Sequence, residues 1–187
     1  ENYKLWPQKL RRGVICMIPK GETKEAKPTA MRPITVLATL WRVYAKIRAK
    51  QLLDWISTWA SDANRGGMRG TCVQDTTVSM TLKLEDAAIN NKCISGAVAD
   101  VWKCFNRLPR QALFTLVRRL LPHTQWVKAW EVMVYSTDRV FRAAGCESVP
   151  MEINTGVAEG CPLSCAMMCL TNECLARFIV SRIPRQV

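Results

Sequence analysis

Gly96-Ala97-Val98-Ala99-Asp100-Val101-Trp102-Lys103-Cys104-Phe105-Asn106-Arg107-Leu108-Pro109-Arg110 is the stretch on which the reading of this chain turns. Its opening run, Gly96 to Ala99, is small and apolar and predicts a short buried strand. The run ends in Asp100, and no other Asp or Glu occurs between Asp86 and Glu131. Desolvating a carboxylate is costly, so an acid leaving a buried strand calls for a divalent cation, an Arg or a Lys. Lys103, Arg107 and Arg110 follow, and Pro109 opens an apolar helical pattern. Two readings stay open at this point: a turn or cap Asp, or a metal-binding carboxylate beside a nucleotide pocket.

The whole chain narrows the choice. Its 187 residues are 49% hydrophobic, long enough for one substantial core and too apolar for disorder. The net charge of +12 is uneven: residues 1–50 hold 12 Lys or Arg against Glu1, Glu22 and Glu25. A basic N-terminal third points to a polyanion, nucleic acid first, with a merely solvated basic surface as the bland alternative. Nine cysteines, no C-x-x-C and the single His123 argue against a disulfide scaffold and a zinc finger. Cys161, Cys165 and Cys169 could share a helix face, but buried thiols are the commoner reading. Reduced thiols predict an intracellular location, nucleus or cytoplasm unresolved. No G-x-S-x-G is present to accompany His123 in hydrolase chemistry. The chain begins at Glu1 and reads as an excerpt of a longer protein, with no signal-peptide pattern. Leu163 to Val180 is interrupted by Asn172, Glu173 and Arg177 and is expected to be too polar for a membrane span.

In order, Arg12 to Lys20 predicts a strand stopped by Pro19, and Met31 to Val36 a second, the two forming a hairpin with Lys20 and Arg32 near its tip or face. Helical spacing of Leu37, Leu40, Trp41, Tyr44, Ile47, Trp55, Ile56 and Trp59 predicts a long helix from about 38 to 59. Arg42, Lys46 and Lys50 form one basic stripe on it. Asn64 to Gly70 alternates glycines with Arg65 and Arg69, a loop where backbone can approach a ligand and guanidinium can meet phosphate. Residues 73–91 predict a helix, 111–121 and 125–135 a helical pair, and 140–143 and 149–153 an antiparallel strand pair. Asn154 to Ser164 carries Gly156 and Gly160, and Pro162 suits the first turn of a helix running to about Arg182.

Four of these stretches, in this order, resemble the reverse transcriptase domain of non-LTR retrotransposons, and more distantly that of group II intron proteins. Ile18 to Leu37 and Asn64 to Asp75 are similar to fingers motifs, Ala99 to Arg110 to the motif with the first catalytic Asp, and Gly156 to Ser164 to the Gly-rich motif facing the incoming nucleotide. The resemblance implies an α+β polymerase right hand, one incomplete domain: fingers over 1–92, a palm strand and first catalytic motif over 93–110, a helical pair and strands over 111–155, and the palm Gly-rich motif and helix over 156–187. It implies an RNA-directed DNA polymerase, a nucleotidyltransferase that uses Mg²⁺ or Mn²⁺, with RNA template, DNA primer and deoxynucleoside triphosphates as partners and no membrane.

The resemblance also assigns residues. Asp100 and the Val101 carbonyl would hold metal, two ions clamping the attacking and leaving oxygens. Phe105 would gate the sugar, Lys20 and Arg32 would neutralise the triphosphate, and Gly156 and Gly160 would pack against nucleotide and template. Arg42, Lys46, Lys50, Arg65 and Arg69 would contact nucleic acid. The family usually has Gln at Glu159 and often Asp at Asn106, so Glu159 puts a carboxylate near the nucleotide. The Tyr-x-Asp-Asp-like hairpin with the remaining catalytic acids does not occur before Val187, so residues 1–187 alone are expected to be inactive. The alternatives are a non-catalytic relative that binds RNA only, and an unrelated basic nucleic-acid-binding module.

Overall fold

Repulsion between β-branched side chains and the helical turn favours extended backbone in Val14-Ile15 and Ile34-Thr35-Val36. The computed structural model describes residues 6–21, 27, 30–62, 64–96, 98–122 and 124–182. Glu1, Glu22, Glu25, Ala97 and His123, weighed above, lie outside them. The expected strands form as β1 (Arg12–Pro19) and β2 (Met31–Val36). They pair antiparallel from Val14 opposite Val36 to Pro19 opposite Met31. β3 (Asp138–Ala143) runs parallel to β1, and β4 (Cys146–Glu147) antiparallel to β3, giving the order β2-β1-β3-β4. Ala144 and Gly145 join β3 to β4 with positive φ at both (48° and 79°), the geometry that matches strand twist in a two-residue hairpin.

The strand expected over 149–153 contracts to one bridge, Met151 with Arg139. Pro150 has no N–H for a ladder, and Cys146–Glu147 takes the pairing next to the turn. Among the described residues six α-helices complete an α+β fold: α1 (Thr39–Ser57), α2 (Val73–Ile89), the single turn α3 (Cys104–Arg107), α4 (Arg110–Leu120), α5 (Gln125–Ser136) and α6 (Pro162–Arg182).

Contacts divide the chain into two units: Glu1–Lys50 with Lys103–Cys165, and Gln51–Trp102 with Ala166–Val187. The first unit is built on Ile15, Trp41, Leu113, Phe114, Val117, Trp130, Met133 and Val157, all buried. Phe114 and Trp130 lie 4.8 Å apart between ring centroids, and Trp6 meets Trp41 edge-on at 5.2 Å. Such ring pairs add about 0.5–1.5 kcal/mol beyond area burial. In α1 the buried stripe is Trp41, Ala45, Ala49, Leu52 and Ile56, whereas Leu40 and Ile47, expected inside, are exposed. They sit about 100° or more around the helix from Trp41, so helical spacing alone did not separate the two faces.

In the second unit Leu52, Ile56, Ala87, Met167 and Leu170 are buried, but α2 is otherwise open. Its Val73, Val78, Met80, Leu82, Leu84 and Ile89 are exposed. α6 corrects the expectation of a stretch too polar to span a membrane: by length and composition it would suffice. That is weak support for a span, because 39% of its apolar window is buried within the protein and Glu173 and Arg177 pair on it.

Candidate functional site

The strand expected at Gly96 to Ala99 does not form among the described residues. The described residues of 92–101 have neither helix nor strand and are exposed, Val98 at 97%. A strand is made by its partner, and no strand of the sheet pairs with this one. Asp100 is therefore solvated by water, which removes the desolvation argument for an obligatory counter-charge. Among the described residues nothing hydrogen-bonds its carboxylate, and no group of three His, Cys, Asp or Glu could hold a metal. Asp100 and Val101 thus do not form a divalent-ion site by themselves.

The Gly-rich motif is held very differently, within the first unit. Lys103 enters α3 with φ 51°, and this left-handed step starts the turn that carries Phe105 and Asn106. The loop 154–161 is fastened to that turn. The Val157 amide donates to the Phe105 carbonyl at 2.8 Å, and the Gly156 amide to the Leu108 carbonyl at 3.0 Å. Asn106 Nδ2 donates to Glu159 Oε1 at 2.7 Å. On the other side, the Thr35 amide of β2 donates to the Glu159 carbonyl at 2.6 Å. Both glycines are demanded by closeness. A Cβ on Gly156, at φ 69°, would fall closer than 3.0 Å to the backbone of Phe105 and Asn106, and one on Gly160, at φ 107°, would lie 2.7 Å from the Thr35 carbonyl oxygen.

Arg110, the first residue of α4, closes this clasp from below. It is buried, its Nε donates to the Gly156 carbonyl at 2.6 Å, and its guanidinium lies 5.4 Å from the Tyr135 ring centroid. Burial pulls its pKa below the usual arginine value, and Tyr135 and Glu152 oppose the shift. Sequence reading missed Arg110 as a site residue and treated Asn106 only as a departure from the family. Glu159, expected as a carboxylate near the nucleotide, has a partner in Asn106. Residues 106 and 159 lie too far apart in sequence for any local signal to pair them.

The other predicted residues are distributed. Arg32 stands exposed on β2 opposite Ile18, and Lys20 is exposed just past β1. Phe105 is half-buried; Arg42, Lys46 and Lys50 are exposed on α1. Arg65 and Arg69 belong to the second unit, where Arg65, Met68, Arg69, Gly70, Thr71, Gln74 and Lys83 line one open groove. Asn64 Nδ2 donates to the Cys169 carbonyl at 2.9 Å, and Cys169 Sγ donates to the Gly66 carbonyl at 2.9 Å. Glu173, fully buried, accepts from the Ser61 amide at 3.0 Å, the Ser61 hydroxyl at 3.1 Å and Arg177 Nε at 2.7 Å. Burial opposes its charge, yet Arg177 and Ser61 together hold its carboxyl below the usual range. These bonds fix the arginine loop without using either arginine's charge on an acid.

No family model matches the chain. Over 159 residues it is 23% identical to the "Probable RNA-directed DNA polymerase from transposon BS" of Drosophila melanogaster, covering 83% of this chain and 17% of that protein. Over 175 residues it is 24% identical to the "Transposon TX1 uncharacterized 149 kDa protein" of Xenopus laevis, covering 91% of this chain and 13% of that protein. The chain thus spans less than a fifth of either relative. Both likenesses support a relation to retrotransposon reverse transcriptase-type proteins at the level of the family.

Proposed function

We propose that this chain is the fingers and first part of the palm of an RNA-directed DNA polymerase, which adds deoxynucleotides to a primer 3′-hydroxyl on an RNA template. The observation that carries the reading is the clasp. Three stretches far apart in sequence, β2, the Phe105–Arg110 turn and the Gly156–Gly160 loop, meet through backbone hydrogen bonds. Each had been singled out as a separate motif.

In this reading the loop backbone, kept free of side chains at Gly156 and Gly160, packs against the base and template. Phe105, fixed by the bond from Val157 to its carbonyl, faces the sugar and disfavours a 2′-hydroxyl. Arg32 and Lys20 bring positive charge to the triphosphate, the guanidinium with its planar fork of donors. Asp100, with the Val101 carbonyl, contributes to a Mg²⁺ site that other carboxylates complete, and the ion would stabilise charge on the reacting phosphate. Exposed Arg42, Lys46, Lys50, Arg65 and Arg69 track the nucleic-acid backbone.

Primer extension on an RNA template, by the longest natural chain carrying these residues, tests the proposal. Asp100→Asn abolishes extension, and Phe105→Ala raises ribonucleotide use relative to deoxynucleotide. Undiminished extension by Asp100→Asn would refute the metal role. RNA binding without any extension by the unaltered protein would favour the non-catalytic relative instead.

A further inference from the structure

Beneath the clasp, in the core of the first unit, lies a cavity with room for about one water-sized guest, lined by Leu37, Trp41, Trp130, Arg139, Cys161 and Ser164 among others. Four of these carry a buried polar atom with no hydrogen-bond partner among the described residues: Trp41 Nε1, Trp130 Nε1, Arg139 Nε and Ser164 Oγ. Each residue is at least 97% buried. Buried polar groups in folded proteins are nearly always satisfied, so four orphans around one cavity require an explanation.

The chemistry of the set is one-sided. Indole and guanidinium N–H groups only donate. Three orphan N–H groups on the lining residues outnumber the two lone pairs of one water molecule, a limit that a monatomic anion does not have. Charge points the same way. Among the described residues no carboxylate pairs with the buried Arg139, and the charge acting on it is that of another buried cation, Arg110. Burial and that neighbour lower its pKa to about 10. A buried, unpaired charge is costly until something of opposite sign accompanies it. The cavity is too small for a phosphate group of nucleotide or RNA.

We propose that this cavity binds a small monovalent anion, chloride in the cell, held by Trp41, Trp130, Arg139 and Ser164. The ion would tie together α1, α5, β3 and the start of α6. Ala158 and Cys161 also line the cavity, so its occupancy supports the loop that forms the clasp. The inference does not depend on polymerase activity.

The test is thermal unfolding of the 187-residue chain in sodium chloride and in sodium gluconate at matched ionic strength. Chloride at one hundred times its dissociation constant raises the midpoint by roughly 5–10 °C over gluconate. Arg139→Met removes the difference between the two salts. If that variant does not fold, Trp41→Phe, which deletes one donor and keeps the ring, weakens chloride roughly tenfold, and bromide-soaked crystals of the unaltered chain show an anomalous peak within hydrogen-bond distance of Trp41 Nε1 and Trp130 Nε1. Equal midpoints in the two salts, or an ordered water with no bromide peak, overturns the proposal.

Discussion

Two glycine-containing segments, Gly96 to Asp100 and Gly156 to Gly160, carry two of the four motifs of the sequence, and the structure treats them in opposite ways. The second is over-determined: amides of Thr35, Gly156 and Val157, the Asn106 amide and the Arg110 guanidinium all bond across it. The described residues of the first are exposed and lie outside every strand and helix. The difference is one of contacts made: the second segment closes on neighbouring backbone, and the described residues of the first pair with no strand of the sheet. A loop that closes on neighbouring backbone satisfies itself. An edge-to-edge strand has no existence without its neighbour. A motif read from sequence therefore announces a shape only where its partners are also present.

The sharpest way to break this contrast is to add one methyl group to each segment. Gly156→Ala forces a Cβ into the Phe105–Asn106 backbone at a φ of 69°, and a rigid backbone contact cannot yield cheaply. The expected loss is at least ~4 kcal/mol, seen as a collapse of the urea midpoint or failure to fold. A loss below about 1 kcal/mol would mean that the loop rearranges freely and that the clasp does not fix it.

A milder variant questions the side-chain half of the clasp. Asn106→Asp sets two carboxylates at the 2.7 Å contact now made by amide and acid. The expected cost at pH 7 is about 1–3 kcal/mol. Either acid of the new pair would have a folded pKa above its unfolded value, so the penalty is full above the folded pKa and disappears as pH falls to the unfolded one. Adding Glu159→Gln restores the pair with the amide on the opposite partner and recovers most of the loss. Additive single effects in the double-mutant cycle would show that the two side chains do not interact.

These expectations mark what was legible. The hairpin β1–β2 was, because Val14, Ile15, Ile34 and Val36 with Pro19 as a stop are local signals. So was the start of α6 at Pro162. The four-residue α3 was not, since a left-handed Lys103 has no sequence signature. The buried character of Arg110 and the pairing of Asn106 with Glu159 depend on contacts between distant segments. Apolar spacing also misled on α1, where Leu40 and Ile47 are exposed. Periodicity reports that a face is apolar and leaves open whether this chain covers it.

The basic surfaces of the two units supply a comparison of smaller amplitude. Binding of labelled single-stranded RNA by the 187-residue chain should weaken with salt, each phosphate contact adding about 0.7 to the log–log slope. Replacing Lys46 by Gln, in the exposed α1 stripe, lowers that slope by about one contact, and Arg69→Gln does the same from the second unit. A slope unchanged by both variants would move the nucleic-acid surface elsewhere.

The smallest effects are expected at the other end of the contrast. A Cβ on Gly96 meets nothing within 4 Å, and Asp100 is exposed and makes no described hydrogen bond. Neither Gly96→Ala nor Asp100→Asn should change the unfolding free energy of the 187-residue chain by more than about 0.5 kcal/mol. Asp100→Asn keeps shape and volume and removes only charge, so any loss would expose an ionic partner. On a surface this basic, the lost acid adds one net positive charge, and screening at ordinary salt leaves little of that repulsion. Stability measured by urea titration at two salt concentrations separates the terms. A loss above 1 kcal/mol that persists in high salt would show that the segment is held in place within this chain, and the contrast between a supported and an unsupported motif would fail. Unchanged stability, joined to abolished primer extension by the same substitution in the longest natural chain carrying these residues, would leave Asp100 a chemical rather than a structural residue.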